Sequence, residues 1–190
     1  MKFARWIVLA GVAVAVAGCG WRSENDWKGA IAHQTNQLGY RNWIVVCEAS
    51  FPAQNRPGIR QVTAPVEVPE AVDYVLQTLE QTEHVRPRIY LPRELRYVEN
   101  DYAPGIDELR KRLTKSLHGH EPTELDQAAL LTLLQDAHRD FQVLVIRTSS
   151  AMPYSSVFLE LQPGYWDAES ESRLRERIER ARTNRLVRPL

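Results

Sequence analysis

The chain has 190 residues, of which 44% are hydrophobic and 25% are charged, as is usual for a folded globular protein. This length suits one domain with additional segments at its ends. The 24 basic and 24 acidic side chains balance each other, so the composition lacks the basic excess of a nucleic-acid-binding domain. We therefore expect a single globular core and no nucleic-acid partner.

The first 18 residues have the pattern of a secretory signal. Lys2 and Arg5 supply positive charge, and residues 6–17 form an apolar segment that is short for a membrane span. Small residues then precede Cys19, as they precede the lipid-modified cysteine of bacterial lipoproteins. We expect cleavage before Cys19, lipidation of its thiol, and anchoring on the periplasmic or extracytoplasmic face of a membrane, with the outer membrane as one candidate. An ordinary signal peptide or an uncleaved anchor is the alternative.

The apolar periodicity predicts alternating helices and strands. Helices are expected over residues 23–38 (capped by Ser23 and ended by Gly39), over 69–83 and 106–117, after Asp126, and from Trp166 onward. Strands are expected over residues 43–47, 87–92, 141–147 and 157–161, with a short edge strand at 59–63 and an extension or pairing at 95–98. This order predicts an α/β fold, a single domain with a mostly parallel central sheet flanked by helices.

The strand at residues 43–47 has no polar alternation, so it is expected to be buried on both faces. Cys47, at its end, is interpreted as a small core residue. Glu48 follows at the carboxyl end, where open α/β sheets place ligand-contacting groups. Tyr40 and Arg41 precede the strand at its other end. Any site that uses both Tyr40 and Glu48 must be completed by folding or by a neighbouring subunit.

Two segments resemble motifs of the D-ribose pyranase and L-fucose mutarotase (RbsD/FucU) family. Residues 38–52 read Leu-Gly-x-x-Asn-Trp-Ile-Val-Val-x-Glu-Ala-x-Phe-Pro, where the family has Gly-His, an apolar strand and Asp-Ala-x-x-Pro. Tyr154-x-Ser156 before an apolar strand is similar to the family's Tyr-x-Asn. The resemblance covers residues 31–162. It implies an α/β fold, a ring-shaped homo-oligomer with sites shared between subunits, a ribose- or fucose-like monosaccharide ligand, and no cofactor.

The same resemblance assigns candidate site residues. Tyr40 stands where the family has a catalytic His, and Glu48 stands where it has Asp. Tyr154 matches the family's Tyr, and Ser156 replaces its Asn. Tyr40 and Glu48 are thus the implied catalytic residues, and Glu48, Tyr154 and Ser156 the implied sugar-binding residues. A phenol has a pKa of about 10 and is a poor proton shuttle at neutral pH. The replacement of the His by Tyr40 therefore leaves open whether the chain is an enzyme, namely a monosaccharide mutarotase of the isomerase class.

The sequence hypothesis divides the chain into a signal peptide (1–18), an anchor and linker (19–30), an RbsD/FucU-like domain (31–165) and a charged C-terminal helix (166–190). The leading function is a membrane-anchored lipoprotein that binds a monosaccharide, with or without interconversion of its anomeric or ring forms. The alternative is a catalytically inactive structural or interaction lipoprotein that retains the fold.

Two other patterns favour ordinary surface structure. His118 and His120, beside Glu121, offer metal-ligand side chains, but a third ligand is not evident, so no metal is expected and a solvated loop is the default. In the C-terminal segment, Glu and Arg alternate four residues apart, which indicates a solvent-exposed helix rather than a lipid-binding one.

Overall fold

The computed structural model describes residues 26–53 and 56–187. The helices in this part of the chain are α1 (Trp27–Thr35), α2 (Val68–Glu80), α3 (Ile106–Ser116), α4 (Gln127–Asp140) and α5 (Ala168–Val187), with a 3-10 turn at Arg93–Arg96. The strands are β1 (Trp43–Cys47), β2 (Ile59–Thr63), β3 (Val85–Pro92), β4 (Thr123–Leu125), β5 (Val143–Arg147) and β6 (Val157–Pro163).

The strands form one sheet in the order β2-β5-β1-β6-β3-β4. The pairs β2–β5, β5–β1 and β3–β4 are parallel, whereas β6 is antiparallel to both of its neighbours. The predicted α/β fold with a mostly parallel sheet is confirmed, and β2 lies at an edge as expected. Because β6 runs in the opposite direction, its first residue lies beside the carboxyl ends of β1 and β3.

β1 is buried at every position, as its uninterrupted apolar run predicts. Its alternate residues face opposite sides of the sheet. Ile44 and Val46 belong to the larger core cluster, which includes apolar residues of α1, α2 and α3. Trp43 and Val45 belong to a second cluster with residues of α4. The central strand therefore contributes to both layers of the core. Burial of a large apolar side chain such as Ile44 or Val46 stabilises the fold by roughly 1.5–3 kcal/mol.

The first helix is shorter than the sequence predicts. Its N-cap is Asp26, whose Oδ1 accepts a hydrogen bond from the N–H of Gly29 at 2.9 Å. Ser23, the predicted cap, lies outside the described residues. The predicted end at Gly39 is wrong, because the helix ends at Thr35 and Asn36 forms its C-cap. The chain then makes a turn before β1.

Around the amino end of α4, tertiary contacts replace the expected local ones. Residues 93–96 form the 3-10 turn instead of extending or pairing with β3. Asp126 occupies the predicted N-cap position but makes no capping hydrogen bond; it pairs with Arg93 at 3.0 Å. The N–H of Gln127 donates instead to the carboxylate of Glu94 on the 3-10 turn, at 3.0 Å to each oxygen. The helix is thus capped by a residue 33 positions earlier in the chain.

The predicted charged helix is α5, and its ion pairs occur at the predicted spacing. The pairs are Glu169–Arg173 at 3.6 Å, Glu171–Arg175 at 2.7 Å and Glu176–Arg180 at 3.2 Å. Most of its described side chains are exposed. The prediction of a solvent-exposed C-terminal helix is confirmed over this range.

The predicted signal peptide and Cys19 lie outside the described residues. Across residues 26–53 and 56–187, the helices lack the combination of length and apolar character needed to cross a bilayer. The lipoprotein hypothesis therefore stays a prediction from the sequence.

His118 joins the end of α3 to α2. Its backbone has a left-handed φ of 51°. Its Nε2 lies 2.8 Å from an oxygen of Asp73, and its Nδ1 lies 2.8 Å from an oxygen of Glu80. These hydrogen bonds, first the one with Asp73 and then the one with Glu80, raise the pKa of His118 above its ordinary value. Both ring nitrogens are engaged by carboxylates.

The metal-site alternative gains no support from this geometry. His118 has no ring nitrogen left for a metal ion. His120 lines two cavities, one beside Leu113 of α3 and the other beside Leu79 of α2. Within the ranges that the structure describes, no three His, Cys, Asp or Glu side chains are grouped in a way that could hold a metal ion.

We predict that His118 makes folding stability depend on pH. Its raised pKa means that its stabilising contribution is complete below the unfolded pKa of about 6.5 and is lost as pH rises through the folded value. His118→Asn, which tolerates the left-handed backbone, should remove about 1 kcal/mol at low pH and little at high pH. Urea unfolding at several pH values measures the difference.

His33→Gln is the control, because His33 is an exposed residue of α1 that touches neither carboxylate. It should keep the pH dependence of the unmodified chain. Parallel stability curves for His118→Asn and the unmodified chain would contradict the prediction.

Candidate functional site

We use carboxyl edge for the side of the sheet on which the parallel strands end, and amino edge for the side on which they begin. The carboxyl edge brings together two of the residues that the sequence singles out. Glu48 follows β1, and Ser156 immediately precedes β6. The Oγ of Ser156 donates a hydrogen bond to Oε2 of Glu48, although the two residues are 108 positions apart. Glu48 is 8% exposed and Ser156 is 2% exposed. The antiparallel direction of β6 makes this contact possible, since it places the start of β6 beside the end of β1.

The segment after β5 forms the other side of this edge. The Oγ1 of Thr148 donates to the carbonyl of Cys47 at 2.8 Å, and the N–H of Ala49 donates to the carbonyl of Ser150 at 2.8 Å. The Oγ of Ser150 is buried and, among the described residues, has no hydrogen-bond partner. A buried hydroxyl without a partner is uncommon, and this one is enclosed by the protein rather than open to solvent.

Arg147 fixes the turn that follows Glu48. Its guanidinium donates to the carbonyl of Ala49 at 3.3 Å and to the carbonyl of Phe51 at 2.8 Å. The N–H of Phe51 in turn donates to the carbonyl of Glu48 at 3.1 Å. These bonds restrict the backbone on the carboxyl side of Glu48 and so help to orient its side chain.

Cys47 is adjacent to this cluster but is not a nucleophile. Burial is the main cause that raises the pKa of its thiol, to about 12, and the negative charge of Glu48 adds to the increase. The positive charge of Arg147 opposes it only in part. The thiol therefore stays protonated at neutral pH, as expected for the core residue that the sequence predicts.

Tyr154 lies in the turn that leads into Ser156. Its backbone has a left-handed φ of 56°, and it is 38% exposed. The hydroxyl of Ser155 donates to the carbonyl of Met152 at 2.8 Å and closes the turn. The site thus combines a buried carboxylate and hydroxyl with an accessible aromatic residue two positions away.

The loop that precedes α3 borders the turn that contains Tyr154. A Cβ placed on Gly105, which has a φ of +93°, would lie 3.2 Å from the end of the Met152 side chain. The loop before Gly105 carries two strongly exposed aromatic residues, Tyr97 and Tyr102.

Tyr40 lies at the opposite edge of the sheet from Glu48. It is 58% exposed and precedes Arg41, whose N–H donates to the carbonyl of Leu161 at 2.7 Å near the end of β6. β1 separates the two edges, and five residues of strand span roughly 17 Å. The guanidinium of Arg41 lies over the ring of Phe141, at 4.3 Å from its centroid. One chain therefore brings Glu48 and Ser156 together, with Tyr154 nearby, and leaves Tyr40 apart.

The sequence interpretation missed the contributions of Arg147, Thr148 and Ser150. None of these three is among the candidate site residues that the sequence indicates. The available signal was the second fully apolar strand, β5. When two strands are parallel, as β5 and β1 are, their carboxyl ends lie on the same side of the sheet.

The Glu48 carboxylate can bind a polar ligand. It accepts one hydrogen bond from Ser156, and an ionised carboxylate has further acceptor positions. A ligand hydroxyl could donate to one of these positions.

Comparison with known proteins gives a likeness of fold. Neither a protein-family model nor a curated protein matches the chain. Bacillus subtilis RbsD complexed with D-ribose is 18% identical with a TM-score of 0.49, and the match covers 69% of this chain and 89% of that one. Streptococcus pneumoniae fucose mutarotase in complex with L-fucose is 18% identical with a TM-score of 0.45, over 67% and 87%.

A third structure, FucU from Bifidobacterium longum, is 14% identical with a TM-score of 0.47, and the match covers 69% of this chain and 90% of that one. All these identities are below 25% and all the scores are below 0.5. The comparison therefore describes the overall fold and assigns no residue.

We predict that Ser156 stabilises the buried carboxylate of Glu48. Ser156→Ala would leave that carboxylate without its hydroxyl donor, so the free energy of unfolding should fall by about 1.5–3 kcal/mol. Ser149→Ala is the matched control. The hydroxyl of Ser149 is exposed and donates to the carbonyl of Val66 at 3.0 Å, so its loss should cost less than about 1 kcal/mol.

Urea unfolding of the two variants measures the comparison. In a double-mutant cycle, Ser156→Ala should cost much less in a Glu48→Gln background, since the buried charge is then gone. Equal costs in both backgrounds would show that the two side chains are not coupled.

Proposed function

We propose that this chain binds a monosaccharide at the carboxyl edge of its sheet. The observation that carries the proposal is the hydrogen bond between Glu48 and Ser156. It joins the two segments whose motifs resemble those of the D-ribose pyranase and L-fucose mutarotase family. Glu48 accepts a hydrogen bond from a sugar hydroxyl, Ser156 holds the carboxylate, and Tyr154 contacts the apolar face of the sugar.

The chemistry of the cluster suits a neutral sugar such as ribose or fucose. A sugar offers several hydroxyl groups, which both donate and accept hydrogen bonds. An ionised carboxylate such as that of Glu48 only accepts, so it pairs with the hydroxyl donors of a sugar. Tyr154 adds a flat amphipathic surface at a partly exposed position, which costs little conformational entropy to order.

The positions of Tyr40 and Glu48 support a site completed between copies of the chain. They lie at opposite edges, so a head-to-tail contact would place Tyr40 of one copy beside Glu48 of the next. Such heterologous contacts produce a closed ring when the rotation between copies closes. In this arrangement the phenol of Tyr40 could donate a hydrogen bond to the sugar, whereas full proton transfer from a phenol is unfavourable at neutral pH.

The alternative function is that of an inactive structural or interaction protein with the same fold. One observation favours it: Glu48 is only 8% exposed and is already hydrogen-bonded to Ser156. A carboxylate in that state has a structural role even without a ligand. The two functions differ in whether a sugar reaches Glu48.

We also propose that Cys19 anchors the protein to a membrane on its extracytoplasmic side. Support comes from the charged start, the apolar segment and the small residues before Cys19. Few residues separate Cys19 from the start of α1 at Trp27, so an anchored domain would lie close to the lipid surface.

Saturation-transfer NMR tests sugar binding directly. The full chain, in a polyoxyethylene detergent that presents no sugar group, is mixed with D-ribose, L-fucose or D-galactose. At least one sugar should give saturation transfer. Glu48→Gln keeps the size of the side chain but removes its charge, so it should weaken binding by about tenfold or more.

Glu160→Gln is the matched control. Glu160 lies on β6 and accepts a hydrogen bond from Tyr90 at 2.8 Å, away from the proposed site, so this change should leave sugar binding intact. Exchange between sugar forms faster than in buffer, and lost in both Glu48→Gln and Tyr40→Phe, would establish an isomerase. Binding without faster exchange would establish a binding protein. Absence of saturation transfer with all three sugars would favour the structural alternative.

The anchor is tested by mass spectrometry and membrane fractionation of the protein expressed in bacteria. The unmodified chain should lose residues 1–18, gain the mass of a lipid group and sediment with membranes. Cys19→Ser should lose the lipid mass, whereas Cys47→Ser should keep it, since Cys47 is buried within the domain. Lipid mass on Cys19→Ser would contradict the assignment.

A further inference from the structure

A cavity lies at the amino edge of the sheet, on the opposite side from Glu48. It has a volume of about 510 Å³ and is formed by the start of β3, the end of β6 and the turn that leads to α5. Its polar and aromatic lining consists of Arg86, Gln162, Tyr165, Trp166 and Asp167. This volume is within the usual range of small-molecule sites.

Arg86 gives the cavity a positive charge. It is exposed on β3 and lies directly opposite Gln162 of β6 in the antiparallel pair, so both side chains are on the same face of the sheet. In residues 26–53 and 56–187, its guanidinium has neither an ion pair nor a hydrogen bond. An unpaired guanidinium next to an amide is well suited to bind a carboxylate through two parallel hydrogen bonds.

Trp166 gives the cavity a fixed aromatic wall. Its Nε1 donates to an oxygen of Glu171 at 2.8 Å, and the other oxygen of Glu171 accepts a hydrogen bond from Nε of Arg175 at 2.7 Å. These bonds hold the indole in one orientation before any ligand binds. Tyr165, the preceding residue, is strongly exposed and adds a second aromatic surface. Such faces pack well against the C–H face of a sugar, since both are flat and largely apolar.

The turn between β6 and α5 is fixed against β3. The N–H of Gly164 donates to the carbonyl of His84 at 2.9 Å. A Cβ at Gly164 would collide with the carbonyl oxygen of Glu83 and lie 3.0 Å from the N–H nitrogen of Val85. Only glycine permits this approach of the two backbones. The cavity is therefore preorganised, which lowers the entropy cost of binding.

Asp167 restricts which anions fit. Its Oδ1 accepts a hydrogen bond from the N–H of Ser170 at 2.6 Å, and this bond holds the pKa of the carboxyl below its usual value. Asp167 is therefore negatively charged at neutral pH. Its charge disfavours ligands with two or more negative charges, such as phosphate esters, and favours ligands that also carry hydroxyl donors.

We propose that this cavity binds a uronic acid, a sugar with a single carboxylate. The carboxylate pairs with Arg86, hydroxyl groups bond to Gln162 and Asp167, and one face of the sugar packs on Trp166. The cavity is at the opposite edge of the sheet from Glu48, so the inference does not depend on the proposed monosaccharide site.

The test is a titration of the ¹⁵N-labelled full chain in polyoxyethylene detergent with D-glucuronate and with D-galacturonate. The indole N–H signal of Trp166 is identified by its absence in Trp166→Phe. At least one uronate should shift this signal in a saturable manner. Arg86→Gln should weaken that binding by about tenfold or more, because a charge-assisted pair is lost.

Arg88→Gln is the matched control, since Arg88 lies two residues further along β3 and outside the cavity lining. It should leave uronate binding unchanged. Glu48→Gln should also leave it unchanged, which separates this site from the carboxyl edge. D-glucose and acetate should each bind at least about tenfold more weakly than the uronate, since each offers only half of the required groups.

Three results would overturn the proposal. The first is the absence of a saturable shift of the Trp166 signal with both uronates. The second is undiminished uronate binding by Arg86→Gln when its urea stability is unchanged. The third is binding of acetate as tight as that of the uronate. The last result would identify a simple anion contact at Arg86 instead of a sugar site.

Discussion

The direction of β6 is the constraint on which the rest of the structure depends. It is antiparallel to β1 on one side and to β3 on the other, within a sheet whose remaining pairs are parallel. Its amino end is therefore at the carboxyl edge of the sheet, where Ser156 meets Glu48. Its carboxyl end is at the amino edge, where the turn into α5 lines the cavity that contains Arg86. Both candidate sites are built on the two ends of this one strand.

Much of the fold follows from periodicity, but the direction of a strand does not. The uninterrupted apolar run of β1 predicts both its central position and the placement of Glu48 at a strand end. The same kind of pattern in β6 does not reveal which way the strand runs. The proximity of Ser156 to Glu48 was therefore available only from the resemblance to a known family. The register that sets Arg86 opposite Gln162 is likewise a tertiary property.

The errors around β4 and the start of α4 have a common physical cause. β4 has three residues, too few for a period to be visible, and it forms by pairing with the end of β3. Residues 93–96 form a 3-10 turn, from which Glu94 caps α4 in place of Asp126. In each case a contact with a distant part of the chain replaced a local preference. Local rules predict where an element begins, but they do not predict which partner satisfies its end.

The helix α5 has a consequence of a different kind. With 20 residues it is about 30 Å long, comparable to the width of a small domain. The sheet is ordered by burial, whereas the described contacts along α5 are mainly ion pairs between exposed side chains four residues apart. Dissolved salt screens such pairs, with a Debye length of about 10 Å at 0.1 M ionic strength. Added salt therefore weakens the ion pairs that support α5, whereas the buried contacts that order the sheet are little affected.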